Sequence, residues 1–434
     1  GVREAAVLSR DRRLVAYVVA AGEPAPTAAE LRGLLRELLP EHMVPAFFQF
    51  LPALPLTPSG KVDRRALPAP EPAAGEPEAG AVPPRTPLEG ALAGIWREVL
   101  GIERVGVEDS FFDLGGHSLS AVRLMARIRR HTGRDLPLAA LFAGPTIERL
   151  AALLGETGEA PARREPLVEI RGGSGRPLFL LHPVGGGVLC YAALARALPP
   201  GTPLYGLQSP DWESEEPATL EAMAERYLAA LRAAQPRGPY RLAGWSLGGV
   251  TAFEMARQLR QAGEEVELLA LFDSYAPGHP GGVWREELDE AAVRALFARD
   301  LAGLLGRELP ASAAGLERLG PGTPLAEAFA AAQAAGLLPP ELDFAETGRM
   351  FASFKANLRR LQGYAGAPYS GRVTLFRAAG PGDEVPDPTL GWEALAVAVP
   401  VNIDIEPIPG DHYSLLRPPA VLALATQLAA RLGA

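Results

Sequence analysis

The sequence predicts three domains in series: a small α+β unit, a small helical bundle, and a larger α/β domain with a mostly parallel sheet and a helical insertion. Three observations carry this. The chain has 434 residues, and domains usually hold about 100–200 each. Two stretches rich in Pro, Ala, Gly and Glu, residues 68–84 and 155–166, bury too little apolar surface to repay the entropy of ordering, and so divide the chain. Between them the hydrophobic pattern changes, from strand-like runs, to helical spacing, to apolar strands alternating with helices.

Composition narrows the function classes. Hydrophobic residues make up 48% and charged residues 21%, ordinary for soluble domains, and no run of about 18 apolar residues could span a bilayer. The opening GVREAAVLSRDRR lacks the basic start and apolar stretch of a secretory leader. A cytoplasmic protein with no membrane partner is expected. The single cysteine, Cys190, fits a reducing compartment, rules out an internal disulfide framework and a cysteine-based zinc site, and is expected in the core; no metal site is expected. A net charge of −9 offers no electrostatic case for nucleic acid. Repeats of 20–50 residues are not evident.

The first domain is expected over residues 1–70. The runs EAAVL and LVAYVVA, joined by SRDRR, read as a hairpin. TAAELRGLLRELL reads as a helix with a capping box of Thr27 and Glu30. A Pro/Gly loop, LPLTPSGKVDRRAL, follows and carries Lys61. Lysine occurs only at positions 61 and 355 in this arginine-rich chain, and a compact ammonium meets a carboxylate or phosphate differently from a guanidinium.

The second domain is expected over residues 85–154. TPLEGALAGIWREVL places Thr86 as N-cap, Pro87 at the first helical position and Glu89 in a capping box, with Leu88, Leu92, Ile95 and Val99 on one face. SLSAVRLMARIRR repeats the pattern through Val122, Met125 and Ile128. Ser118 lies where the loop FFDLGGH feeds this second helix. A serine there serves as an N-cap. Capping does not require Gly115 and Gly116, which strip side chains from the approach, so an exposed hydroxyl could receive a bulky group.

The third domain is expected over residues 167–434. Strand-like runs include PLFLLH, PLYGLQ, YRLAGW, VELLALF, GRVTLF and VNIDIEPI. They alternate with helical patterns, as in a parallel sheet covered on both faces. An insertion over about 282–362 is too long for an ordinary connection and reads as a lid.

Within this domain GWSLGG follows a strand and precedes the amphipathic VTAFEMARQLR. This is the strand–turn–helix context in which G-x-S-x-G lifts a serine, here Ser246, off the sheet as a nucleophile. His412, after the last strand, fits the Ser…Asp…His order of an α/β-hydrolase. For the acid, Asp273 ends the strand after the nucleophile unit, whereas Asp383 follows VTLF, the more usual hydrolase position; either could hold the imidazole in the required tautomer. The amides of Val184, in HPVGGG, and Leu247 would form the oxyanion hole. No Gly-Lys-Ser/Thr follows those glycines, which disfavours a nucleotide loop.

At these residues the chain resembles the terminal part of a nonribosomal peptide synthetase over nearly its whole length. FFDLGGHSL is similar to the motif of the four-helix peptidyl carrier domain, which implies 4′-phosphopantetheine esterified to Ser118. LPEHMVP and LPLTPSGKVDRRAL resemble the last motifs of an adenylation domain, which implies an acyl-adenylate contact by Lys61 in the parent enzyme. GWSLGG, LFDSYAPG and PGDHYSLL resemble a type I thioesterase, and this family pattern favours Asp273 over Asp383 and Asp387 as the acid. Upstream of Ser118 the family often reads Asp-Asn-Phe-Phe where this chain has EDSFF, with Ser110 in place of the amide. The resemblance implies release of a carrier-bound peptidyl thioester by hydrolysis or macrocyclisation. It also implies upstream modules and a phosphopantetheinyl transferase as partners, and a monomer. The large adenylation subdomain is absent from this sequence, so amino-acid activation by the chain alone is not expected. The rival readings are a carrier and docking module with an inert hydrolase domain, and a free-standing serine esterase.

Overall fold

The computed structural model describes residues 1–10, 13–22, 25–27, 47–55, 62–64, 66–68, 82–116, 118–134, 136, 140–155, 166–209, 217–279, 289–304, 344–380, 387–396 and 402–433, with single residues at 31, 35, 45, 327, 330 and 333. The chain forms two compact units, Gly1–Gly80 and Ala81–Ala434.

In the first unit, β1 (Val2–Arg10) and β2 (Arg13–Ala20) pair antiparallel in the expected hairpin. A third strand, β3 (Phe47–Phe50), adds parallel to β2 and was not read from the sequence. Flanked on both sides, β2 buries Val15, Tyr17 and Val19 with Leu54 and Leu67 in a small core. Most of the helix expected from Thr27, including Glu30, lies outside the described residues, as does Lys61.

The second unit opens with four helices: α1 (Pro87–Leu100), α2 (Ser118–Thr132), α3 (Ala140–Ala143) and α4 (Ile147–Gly155). The capping box of α1 is formed as expected: Glu89 N–H donates to Thr86 Oγ1 at 3.1 Å, and Thr86 N–H donates to Glu89 Oε2 at 3.1 Å. Such a cap contributes about 1 kcal/mol. Gly101, at φ 66°, ends the helix in the left-handed conformation that glycine adopts without strain. The core is centred on Trp96, which meets Phe111 edge-to-face at 5.2 Å, with Leu124, Ile128 and Leu150 around them.

The remainder is an α/β-hydrolase built on a seven-stranded sheet of order β10-β9-β8-β7-β5-β6-β4. The strands are β4 (Leu167–Arg171), β5 (Leu178–Leu181), β6 (Leu204–Leu207), β7 (Tyr240–Trp245), β8 (Val266–Phe272), β9 (Val373–Ala379) and β10 (Ile403–Pro409). All pairs are parallel except that of the edge strand β4 with β6. Side chains alternate between two cores, as the pleat requires. Phe179, Leu181, Leu242, Leu269 and Leu271 join α6 (Leu220–Ala234) and α7 (Leu247–Gln261) on one face. Leu178, Leu180, Ala243 and Ala270 join α5 (Ala192–Ala197) and α10 (Ala420–Leu432) on the other.

The inserted segment contributes α8 (Glu290–Leu304) and α9 (Phe344–Gly363), which pack through Val293, Phe351, Phe354 and Leu358. Glu254 on α7 is wholly buried and accepts from Arg257 Nε, Arg257 Nη2, Gln258 Nε2 and the Tyr364 hydroxyl just beyond α9. Burial alone would raise its pKa, but these donors hold it below the usual carboxylate value. Among the described residues no helix is long and apolar enough to cross a membrane, and no group of three or more His, Cys, Asp or Glu could hold a metal. Cys190 is half-buried against the α5–α10 core rather than fully enclosed, and burial raises its thiol pKa far above the ordinary value.

Candidate active site

Parallel strands bring their C-terminal ends to one rim, where the loops converge. Ser246 follows β7 there and starts α7 at φ 59°, ψ −124°, a conformation costing a non-glycine residue about 1–3 kcal/mol. Close packing holds it. A Cβ on Gly244 would come within 2.1 Å of the Gly248 carbonyl carbon, and one on Gly248 within 2.2 Å of Leu181 O. The turn is fixed by Ser246 N–H donating to Phe272 O at 3.1 Å. The serine is 8% exposed, and its hydroxyl caps no helix amide.

Asp273 follows β8, also at positive φ, 42°. Its carboxylate is shared: Oδ1 accepts from Ala378 N–H at 2.9 Å, and Oδ2 lies 2.7 Å from His412 Nδ1. His412 comes from the loop after β10. Its own carbonyl accepts from Trp245 Nε1 at 3.0 Å, and the indole and imidazole rings lie 4.9 Å apart. The residue next to Ser246 thus positions the imidazole, a link that nothing in GWSLGG announces. Asp387 is engaged elsewhere. It accepts from the Thr389 hydroxyl and from Thr389 and Gly391 N–H, and its pKa is lowered chiefly by the Thr389 hydroxyl. Asp383 lies outside the described residues.

Val184 sits in the loop after β5. Among the described residues, neither its backbone N–H nor that of Leu247 donates a hydrogen bond. This loop is held from three sides. His182, buried beneath it, places Nδ1 2.7 Å from Pro183 O and Nε2 2.7 Å from the Tyr227 hydroxyl. A carbonyl only accepts, so Nδ1 carries the proton and Nε2 accepts from tyrosine. Burial lowers the His182 pKa to about 4, so this histidine is neutral and structural. Tyr191 donates to Leu181 O and accepts from Trp245 N–H at 2.9 Å, joining the ends of β5 and β7 under the serine. From the inserted helix α9, Asn357 Nδ2 donates to Val184 O at 2.9 Å.

Ser118 is the first residue of α2. A Cβ on Gly116 would fall 2.4 Å from Phe111 O, so the loop folds tightly back onto Phe111. Gly115 has φ 90°, and a Cβ there would meet nothing within 4 Å.

A family model described as the thioesterase domain matches residues 176–429. The chain belongs to the thioesterase family. Ahead of this thioesterase domain, the phosphopantetheine attachment site matches residues 90–154, and the C-terminal domain of AMP-binding enzymes matches residues 1–61. The phosphopantetheine match identifies 4′-phosphopantetheine as the covalent cofactor of the carrier domain. Together these matches make the chain the C-terminal part of a nonribosomal peptide synthetase, with carrier and thioesterase domains in succession. It is 46% identical over 305 residues to the dimodular nonribosomal peptide synthase of Bacillus subtilis (strain 168), covering 68% of this chain and 13% of that protein. It is 32% identical over 447 residues to chondramide synthase cmdD of Chondromyces crocatus, covering 99% of this chain and 11% of that protein. It thus spans a small part of these relatives. Among solved structures, holo-AB3403, a four domain nonribosomal peptide synthetase bound to AMP and glycine, aligns with TM-score 0.58 and 34% identity. The alignment covers 98% of this chain and 32% of that one.

Proposed function

We propose that the thioesterase domain releases an acyl or peptidyl chain from the carrier domain by double displacement at Ser246, with His412 as base and Asp273 as its orienting acid. The observation that carries this reading is the 2.7 Å contact of Asp273 Oδ2 with His412 Nδ1 on the same rim as a serine held at φ 59°. The carrier arm, on Ser118, supplies a thiol that presents the chain as a thioester. Ser246 Oγ forms a bond to the thioester carbonyl carbon as His412 Nε2 takes its proton. The amides of Val184 and Leu247 receive the developing oxyanion, an arrangement in which one donor is worth about 10²–10³ in rate. Collapse breaks the carbon–sulfur bond, and His412 returns the proton to the departing sulfur. A water, or an amine or hydroxyl of the chain itself, then attacks the Ser246 ester with His412 again as base, giving a free acid or a macrocycle. Hydrogen bonds of this kind commonly tighten only around bound substrate.

Upstream synthetase modules would deliver the chain and a phosphopantetheinyl transferase would modify Ser118. Lys61 would contact an acyl-adenylate only alongside the rest of an adenylation domain. The test is intact-protein mass spectrometry after incubation with such a transferase and an acyl-coenzyme A. The expected result is an acyl-pantetheine mass that requires Ser118, persists in Ser246→Ala and is lost from wild type. Equal loss from wild type and Ser246→Ala would remove Ser246 as the nucleophile.

A further inference from the structure

The inserted helix α8 carries a carboxyl that the proposed release chemistry does not use. Val293, Phe297 and Asp300 follow one another at helical spacing, so Asp300 continues the inward stripe of α8. Val293 is buried against Phe351, Phe354 and Leu358, and both Phe297 and Val184 pack on that cluster. The stripe therefore brings Asp300 to the loop that carries Val184: a Cβ placed on Gly185 would lie 3.7 Å from Asp300 Oδ2. Asp300 is 9% exposed, and among the described residues no hydrogen bond or ion pair reaches its carboxyl. The groups that feel its charge are His412, Arg299, Cys190 and Tyr413. Burial pushes its pKa up to about 7, against the pull of His412 and Arg299.

The contrast with Glu254 is informative. That carboxylate is also buried, and it meets four donors. Asp300 meets none of that kind, and a buried carboxylate without donors is strongly unfavourable. Beside the oxyanion loop it would also oppose the negative charge that develops on the reacting oxygen. A cationic donor placed against it removes both penalties at once.

We propose that Asp300 is a specificity-determining residue that binds a primary ammonium group of the acyl chain, making amine-bearing thioesters the preferred substrate class of this domain. The proposal rests on Ser246 as the nucleophile. The ammonium provides the donors that the protein does not, and its charge cancels that of the carboxylate while the oxyanion forms. No bond is made or broken at Asp300.

The test uses the full chain and pairs of N-acetylcysteamine thioesters that differ only in a primary amine against its acetamide. The amine is placed at successive positions from the α-carbon to the end of the side chain. Wild type is expected to favour the amine in at least one pair by about tenfold or more in kcat/KM. Asp300→Asn is expected to bring that ratio close to one by slowing the amine member and speeding the acetamide member at pH 8. The proposal is overturned if no pair shows an amine preference, if the preference survives in Asp300→Asn, or if both members slow equally. Wild-type turnover of the acetamide members, and its loss in Ser246→Ala, tests the nucleophile independently.

Discussion

Asp273 Oδ2 and His412 Nδ1 meet at 2.7 Å across 139 residues of chain, while Asp273 Oδ1 accepts from Ala378 N–H. Both carboxylate oxygens are therefore in use as acceptors. An amide has only one acceptor oxygen, so Asp273→Asn must turn an N–H toward either Ala378 N–H or the imidazole. The imidazole then loses the tautomer that leaves Nε2 free to take a proton. The expected outcome is a fall in kcat of about 10³–10⁴, measured on a soluble thioester, with thermal stability checked separately to exclude unfolding.

This site was legible in the sequence to the extent that its parts are local. The elbow declares itself through three glycines around Ser246, and the α1 capping box through Thr86, Pro87 and Glu89. Strand position alone left Asp273 and Asp383 both open and put Asp383 at the more usual hydrolase position, because which strand end faces His412 depends on sheet order rather than on any local pattern. The strands β3 and β4 escaped reading for a similar reason: each is short and joins its sheet through register with a distant strand. Trp245, Tyr191 and Asn357 act on the site through hydrogen bonds made only after folding. Asp300 alone left a trace, a lone acid at an apolar position of the α8 period.

The elbow is sterically closed to any added atom. In Gly248→Ala the new methyl would sit 2.2 Å from Leu181 O, the carbonyl that also accepts from Tyr191. Relief requires moving backbone in β5 or α7, since no flexible side chain stands in the way. The expected result is a domain destabilised by about 3 kcal/mol or more. It would be seen as a lowered denaturation midpoint, with loss of labelling of Ser246 by a fluorophosphonate. Gly115→Ala in the carrier loop meets no such obstruction, and is expected to cost only the strain of φ 90°.

Asp300 also makes a pH-dependent contribution to stability, whose sign follows from its raised pKa. Between the ordinary aspartate value, about 4, and about 7, the unfolded chain has lost the proton that the folded chain retains. Stability therefore falls as pH rises through this window, and the penalty is complete above it. His412, Arg299, Cys190 and Tyr413 face the same carboxyl and are unchanged in the variant. Asp300→Asn should accordingly stabilise the protein at pH 8 by on the order of 1–3 kcal/mol and have little effect near pH 4.5. The measurement is urea denaturation of wild type and variant at both values.

The carrier and thioesterase domains share a boundary at α5, the helix that follows the Val184 loop. Arg196 on α5 donates to Phe112 O at 2.7 Å, and its guanidinium lies 5.9 Å from the Phe112 ring centre. Leu189 and Ala192 complete the carrier core, while Phe142 of α3 packs against the core beneath α5. Phe112 belongs to the loop that leads to Ser118, so this contact seats the very segment that bears the proposed attachment site. Arg196→Ala removes the hydrogen bond and the ring contact without touching Ser246, Asp273 or His412. Release of an acyl group loaded on the carrier is expected to slow by about three- to tenfold, whereas hydrolysis of a small soluble thioester keeps its wild-type rate. A parallel drop in both rates would instead mean that Arg196 supports the α5 packing of the thioesterase domain itself.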